Sequence, residues 1–176
     1  NTDGEGFLRA LGGEGIDPAG KRVTVLGAGG AAKAVCLKLA QAGAEVVVCN
    51  RTPDKAKAFC DYDPEHLHPT GFSPNELARA AGECDLLVNC TSLGMADTAG
   101  QFADFSFLNQ LKPGVPVVDL IYIPAETELL RQAKKRGHRP INGLGLLDNQ
   151  AVLALEHFTQ TEIDAAEMKK RIAEVL

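Results

Sequence analysis

Nowhere in this chain do apolar residues run together for the roughly 20 positions that a membrane-spanning helix needs, and no basic, apolar leader opens it. A basic excess is missing too. Eighteen Lys and Arg stand against 23 Asp and Glu, a formal net charge of −5. Nucleic acids and acidic membrane surfaces select basic proteins, so neither is expected as a partner. There is no CxxC pair: the five cysteines (Cys36, Cys49, Cys60, Cys84, Cys90) are odd in number and scattered. Reduced thiols in a cytoplasmic protein, serving as small core hydrophobes, are the simplest reading. Internal repeats and low-complexity tracts are absent. A metal cluster is not expected either: His66 and His68 would share a strand face near Cys60, but the segment is irregular and no further ligands follow. The chain also lacks an initial methionine, which suggests a processed or cropped piece of something longer.

What is present reads as an ordinary globular composition, 45% hydrophobic and 23% charged. Residues 3–11 form a short amphipathic helix with Phe7, Leu8 and Leu11 on one face, stopped by Gly12-Gly13. Val23–Leu26 is a β-branched strand that breaks into glycines, and a helix follows to Ala42, ended by Gly43. Glu45–Cys49 is apolar nearly throughout, as buried parallel strands are. Pro53 opens a helix to about Cys60, and an edge strand is expected near Leu67. Pro74–Ala81, Phe105–Gln110 and Glu126–Arg136 read as helices, Asp85–Asn89, Pro116–Leu120 and His138–Ile141 as strands. Leu144–Phe158 and Glu162–Val175 close the chain as helices. Strands alternating with helices predict an α/β, Rossmann-type doubly wound parallel sheet with a C-terminal helical extension.

The stretch Gly27-Ala28-Gly29-Gly30-Ala31-Ala32 sits between the first strand and the helix after it. Gly27 permits the tight turn, Gly29 lets the backbone approach a pyrophosphate, and Ala32 allows close helix–strand packing. The free N–H groups and the positive end of the helix dipole then face the anion. A tight turn with no ligand has the same look. The second strand ends in Asn50-Arg51-Thr52, about 20 residues on, where an NAD-binding fold usually carries an acid for the ribose 2′-hydroxyl. That acid is missing. Arg51 can clasp a 2′-phosphate bidentately and Lys55 adds a second charge one turn later, so NADP(H) is the expected cofactor. A solvated basic residue at a strand end is the plainer alternative.

Several segments taken together resemble the C-terminal, NADP-binding part of the shikimate dehydrogenase family. They are Asn1-Thr2-Asp3-Gly4, the Gly27–Ala32 turn, Asn50-Arg51-Thr52, Asn89-Cys90-Thr91-Ser92-Leu93-Gly94-Met95, Asp119-Leu120-Ile121-Tyr122-Ile123-Pro124 with Thr127 and Leu129, and Gly143-Leu144-Gly145-Leu146-Leu147 leading to Gln150-Ala151. The resemblance covers nearly the whole chain and implies reversible hydride transfer between NADP(H) and C3 of shikimate or 3-dehydroshikimate. It implies that Asp3 is the catalytic aspartate, pairing with a lysine of an N-terminal substrate lobe that these 176 residues do not contain. A helix N-cap is the alternative for Asp3. Cofactor contacts are implied for Gly27, Ala28, Gly29, Gly30, Ala31, Asn50, Arg51, Thr52, Lys55, Thr91, Ser92, Met95 and Ile121, with the Gly143 carbonyl toward the nicotinamide amide. Thr91 and Ser92 could equally be turn chemistry after a strand. Tyr122 and Gln150 are implied substrate contacts; a half-buried structural tyrosine and a surface amide are the alternatives. Leu147 stands where the family often has methionine, an apolar exchange of similar volume. Phe158-Thr159-Gln160 replaces a tryptophan-containing segment, which touches helix-end packing more than chemistry.

On this resemblance residues 1–21 are a helix and linker from the substrate lobe, 22–142 the NADP-binding domain and 143–176 the C-terminal helices. The expected enzyme is an NADP-dependent shikimate dehydrogenase of aromatic amino-acid precursor synthesis, inactive as this piece alone. A quinate/shikimate dehydrogenase is the near alternative, and a non-catalytic NADP-binding module the alternative from another class.

Overall fold

The computed structural model describes residues 2–96, 100–164 and 167–168. The chain order is α1 (Asp3–Gly13), β1 (Arg22–Leu26), α2 (Gly30–Gln41), β2 (Glu45–Cys49), α3 (Pro53–Cys60), β3 (Leu67–Thr70), α4 (Pro74–Glu83) and β4 (Leu86–Asn89). A 3₁₀ turn (Ser106–Gln110), β5 (Pro116–Asp119), α5 (Glu128–Lys135), β6 (Arg139–Ile141) and α6 (Leu144–Thr159) follow. Six strands form one sheet in the order β3-β2-β1-β4-β5-β6, and every neighbouring pair is parallel. This is the doubly wound order, which reverses direction between β1 and β4 and opens a crevice at their carboxyl ends.

The period of two along each strand divides the core between the two faces of the sheet. Val23, Val25, Val46, Val48, Leu86, Val88 and Val118 pack on one face with Phe7 and Leu11 of α1 and the buried side of α2. Leu26, Cys49, Leu87 and Val117 face the other way, onto α4, α5 and the phenylalanines Phe102 and Phe107. Thr24 also points to that second face, where its hydroxyl donates to the Ala80 carbonyl at 3.0 Å. Of the three strand prolines, Pro69 in β3 and Pro140 in β6 lie in the edge strands, and Pro116 is the first residue of β5, the places where a missing N–H costs the ladder least. Pro74 at the first turn and a reciprocal Ser73–Glu76 capping box start α4. Four cysteines are buried and Cys90 is half-buried, all as free thiols.

Most boundaries expected from the sequence hold within one or two residues, and the departures have local causes. Gly12 and Gly13 are the last residues of α1 rather than its stop. Asp3 is the first helical residue, not the cap: Thr2 holds that position, without a capping side-chain bond. Thr127 caps α5, its hydroxyl accepting from the Leu130 N–H, so the helix starts two residues after Glu126. His66 precedes β3 in a turn and pairs with Asp63, whereas His68 pairs with Glu45, so the two imidazoles do not share a strand face. Most of the expected helix Glu162–Val175 lies outside the described residues.

Candidate functional site

The crevice begins where β1 runs into Gly27. Its φ of +104° is one that L side chains rarely adopt, and a Cβ there would stand 3.0 Å from Thr91 Cγ2 and 3.2 Å from the Cys90 backbone. The backbone angle demands glycine, and the tight space beside it adds to that demand. Its N–H donates to the Cys49 carbonyl at 2.7 Å, tying the turn to the end of β2. Gly29 is the N-cap of α2 and makes no side-chain cap. A Cβ on Gly29 or Gly30 would meet nothing within 4 Å, so no protein atom fills the space beside them. Ala32 beneath is fully buried. The first turn of α2 therefore presents its amides and the positive end of its dipole to an open volume, as an anion site requires.

Beside this turn, at the carboxyl end of β2, Arg51 and Thr52 are exposed and Asn50 Nδ2 donates to the Thr52 carbonyl at 2.7 Å. A cleft of about 440 Å³ opens between α2 and α3, lined by Ala28, Gly29, Gly30, Lys33, Lys55, Ala58, Phe59 and Tyr62. Lys33 Nζ sits 4.7 Å from the centre of the Tyr62 ring. Lys55 is thus joined by a second lysine and an aromatic that the sequence reading did not assign. Lys33, four residues after Gly29, carries a helical-spacing signal; Tyr62 lies in the loop after α3 and carries none.

On the other side of β1 the ends of β4 and β5 build a second concavity of about 410 Å³. Ala31, Cys90, Thr91, Ser92, Met95, Ala96, Leu120, Ile121, Tyr122 and Ile123 line it. Six of the residues singled out in the sequence (Ala31, Thr91, Ser92, Met95, Ile121, Tyr122) meet here. Burial pushes the Cys90 thiol well up, so the wall carries a neutral SH. Beneath the pocket Asn89, Asp119 and Thr127 are buried, and Asn89 and Thr127 both donate to the Asp119 carboxyl. Burial pushes the Asp119 carboxyl up to about 6, against three hydrogen bonds that favour its charged form.

Asp3 and Gln150 come together from opposite ends of the chain, Gln150 Nε2 donating to Asp3 Oδ1 where α1 crosses α6. Gly6 makes this crossing close: a Cβ on it would stand 3.1 Å from Gln150 Cγ. Neither Asp3 nor Gln150 lines the Tyr122 pocket. Gly143 sits behind that pocket's wall. Its N–H donates to the Ile121 carbonyl at 3.0 Å, and its own carbonyl accepts from the Leu147 N–H that opens α6. A Cβ on Gly143 would lie 2.0 Å from the Leu120 carbonyl oxygen. With an ordinary φ of −76°, this glycine is required by space rather than by backbone freedom. Among the described residues no group of three or more His, Cys, Asp and Glu could hold a metal ion, and no helix is long and apolar enough to cross a membrane.

Residues 13–104 match the shikimate/quinate 5-dehydrogenase family. A shikimate dehydrogenase (NADP(+)) from Methanopyrus kandleri is 40% identical over 182 residues, spanning 100% of this chain and 62% of the relative. The shikimate 5-dehydrogenase of Thermus thermophilus, solved with NADP(H) and shikimate, is 36% identical with a TM-score of 0.80, over 100% of this chain and 63% of that one. The quinate dehydrogenase of Corynebacterium glutamicum, solved with NAD, is 30% identical with a TM-score of 0.81, over 99% and 62%. The chain thus spans somewhat under two thirds of the length of these proteins.

Proposed function

This chain belongs to the shikimate/quinate 5-dehydrogenase family, and from that premise we propose that it is the cofactor-binding part of an NADP-dependent shikimate dehydrogenase. The enzyme interconverts 3-dehydroshikimate and shikimate in aromatic amino-acid precursor synthesis, in the cytoplasm. The observation that carries the reading is one coincidence at the sheet's reversal point. An uncapped helix N-terminus beside open space stands next to a strand end where Arg51 replaces the usual acid, with Lys33 and Lys55 lining the adjoining cleft.

The backbone of Gly27, Ala28, Gly29, Gly30 and Ala31 takes the pyrophosphate, and Asn50, Arg51, Thr52 and Lys55 take the 2′-phosphate. Thr91, Ser92, Met95, Ile121 and Gly143 border the nicotinamide end, and Tyr122 and Gln150 turn toward the substrate. NADPH, when bound, supplies a hydride to the C3 carbonyl carbon, and the carbonyl oxygen gains a proton. Asp3, oriented by its bond from Gln150, holds a lysine of the N-terminal substrate lobe at that oxygen, where the proton moves. That lobe is the partner within the same protein, so these 176 residues alone bind cofactor and turn nothing over.

Initial rates of the full-length protein with shikimate or quinate, each with NADP⁺ or NAD⁺, test the reading. Shikimate with NADP⁺ is expected to be fastest. Quinate turnover exceeding shikimate turnover would overturn the substrate, and a preference for NAD⁺ would overturn the cofactor. The likeness to the NAD-bound quinate dehydrogenase favours that second reading, and Arg51, standing where an NAD enzyme carries an acid, weighs against it. Cell fractionation checks the compartment; activity in a membrane or secreted fraction would overturn it.

A further inference from the structure

Asn89 and Asp119 are register partners at the last rungs of β4 and β5. They and Thr127 are essentially sealed from solvent, at 0%, 0% and 1% exposure. Charge is costly in such a place unless hydrogen bonds compensate it. The directions of those bonds are fixed by groups that can only donate. The Thr91 N–H reaches Asn89 Oδ1 at 3.0 Å, so the Asn89 amide must turn its Nδ2 to Asp119 Oδ1, at 2.9 Å. The Leu93 N–H donates to Thr91 Oγ1 at 3.2 Å, which sends the Thr91 hydroxyl proton to Asn89 Oδ1 at 2.7 Å. From the other side the Ile121 N–H donates to Asp119 Oδ1 at 3.1 Å. The Leu130 N–H donates to Thr127 Oγ1, leaving that hydroxyl to donate to Asp119 Oδ2 at 2.7 Å. Every chain of donors ends on one carboxylate.

The two arms reach the two walls of the pocket. Asn89 and Thr91 lead into Thr91–Ala96, and Ile121 leads into Leu120–Ile123; together these segments supply most of the pocket's lining, to which Asp119 itself contributes nothing. We propose that Asp119 is a positioning residue that sets the separation of these two walls, and with it the fit of the nicotinamide end against the substrate. The inference rests on the reading of the pocket as the hydride-transfer site.

The test uses the full-length protein and pairs kinetics with amide hydrogen exchange. Asp119→Ala removes the shared acceptor, so exchange is expected to rise tenfold or more in residues 91–96 and 120–123 together. The KM values for NADP⁺ and shikimate should rise with it. Asn89→Ala cuts one arm only and should raise the NADP⁺ KM while leaving the shikimate KM within twofold. Should Asp119→Ala fail to fold, Asp119→Asn serves. It keeps an oxygen for Asn89 and Ile121 but turns an amide toward Thr127, and should give the same pattern at smaller size. Exchange rising in one segment or neither, or unchanged KM values in a folded variant, would overturn the inference. A wild type that turns over neither substrate would sink the functional reading instead, while the paired exchange would still judge Asp119.

Discussion

The two sides of the crevice are built in opposite ways. Around β2 and α3 stand exposed cations, Arg51, Lys55 and Lys33, the last of them against the Tyr62 ring. Around β4 and β5 lies a buried set of hydrogen bonds converging on Asp119. On the proposed function, the difference follows from what each side would have to do. Attracting a phosphate needs charge, which acts over several ångströms in water. Presenting a carbon for hydride transfer needs geometry held to fractions of an ångström. Substitutions should therefore act on the β4–β5 side through structure and on the β2 side through charge.

The largest effect is expected on the rigid side. Gly143→Ala pushes a methyl to within 2.0 Å of the Leu120 carbonyl oxygen, and the atoms it meets are backbone of Leu120 and Ile121, which cannot swing aside as a side chain can. The cost should reach or exceed about 3 kcal/mol, the upper end of ordinary overpacking. The denaturant midpoint of the full-length protein reads it. A change under roughly 1 kcal/mol would mean that the α6 N-terminus moves freely against β5, and the contrast between the sides would fail.

Next comes the buried carboxyl. Asp119 titrates near 6 in the folded protein instead of at its ordinary 3.8, so between those values the folded state holds a proton that the unfolded state has released. Stability from this group is present below pH 3.8 and lost as pH rises toward 6, by roughly 3 kcal/mol over the window. In Asp119→Asn that fall is absent. The comparison is the difference between the two proteins' unfolding free energies at pH 4 and at pH 7. A constant difference would show that Asp119 is charged throughout, held by its donors.

The same contrast explains what the sequence revealed. The Gly27–Ala32 turn, the five-residue β2 and the Pro53 and Pro74 helix starts are local signals, written within a few neighbouring residues, and they reappear as expected. The cationic side was legible for the same reason: Arg51 and Lys55 need only their own position beside a strand end. Thr91, Ser92, Ile121 and Tyr122 were reached through family resemblance, and they do meet in one pocket. The bonds beneath them were not legible, because Asn89 and Asp119 are 30 residues apart and become partners only through the β4–β5 register. Gly143 was singled out for its carbonyl, whereas the structure supplies a steric reason that depends on how closely Leu120 passes.

On the β2 side, Arg51→Ala should weaken NADP⁺ far more than NAD⁺, by about 1.5–3 kcal/mol, the worth of a charge-assisted bond. Calorimetric titration of the full-length protein with each nucleotide measures it. Equal weakening of both would show that Arg51 does not read the phosphate.

Lys33 should give the smallest effect and the finest test of the contrast. Its contact with the Tyr62 ring is exposed and contributes about 0.5–1 kcal/mol, so Tyr62→Leu should barely move the unfolding midpoint. Lys33→Gln should weaken NADP⁺ severalfold at low salt, because the ammonium lines the cleft beside the glycine turn. That loss should shrink as ionic strength rises and the Debye length falls to about 3 Å near 1 M. An Asn89→Ala loss, arising from buried geometry, should stay constant over the same titration. If the Lys33 loss proves independent of salt, the side chain acts by packing Tyr62 against the ligand, and the β2 side is more rigid than its exposure implies.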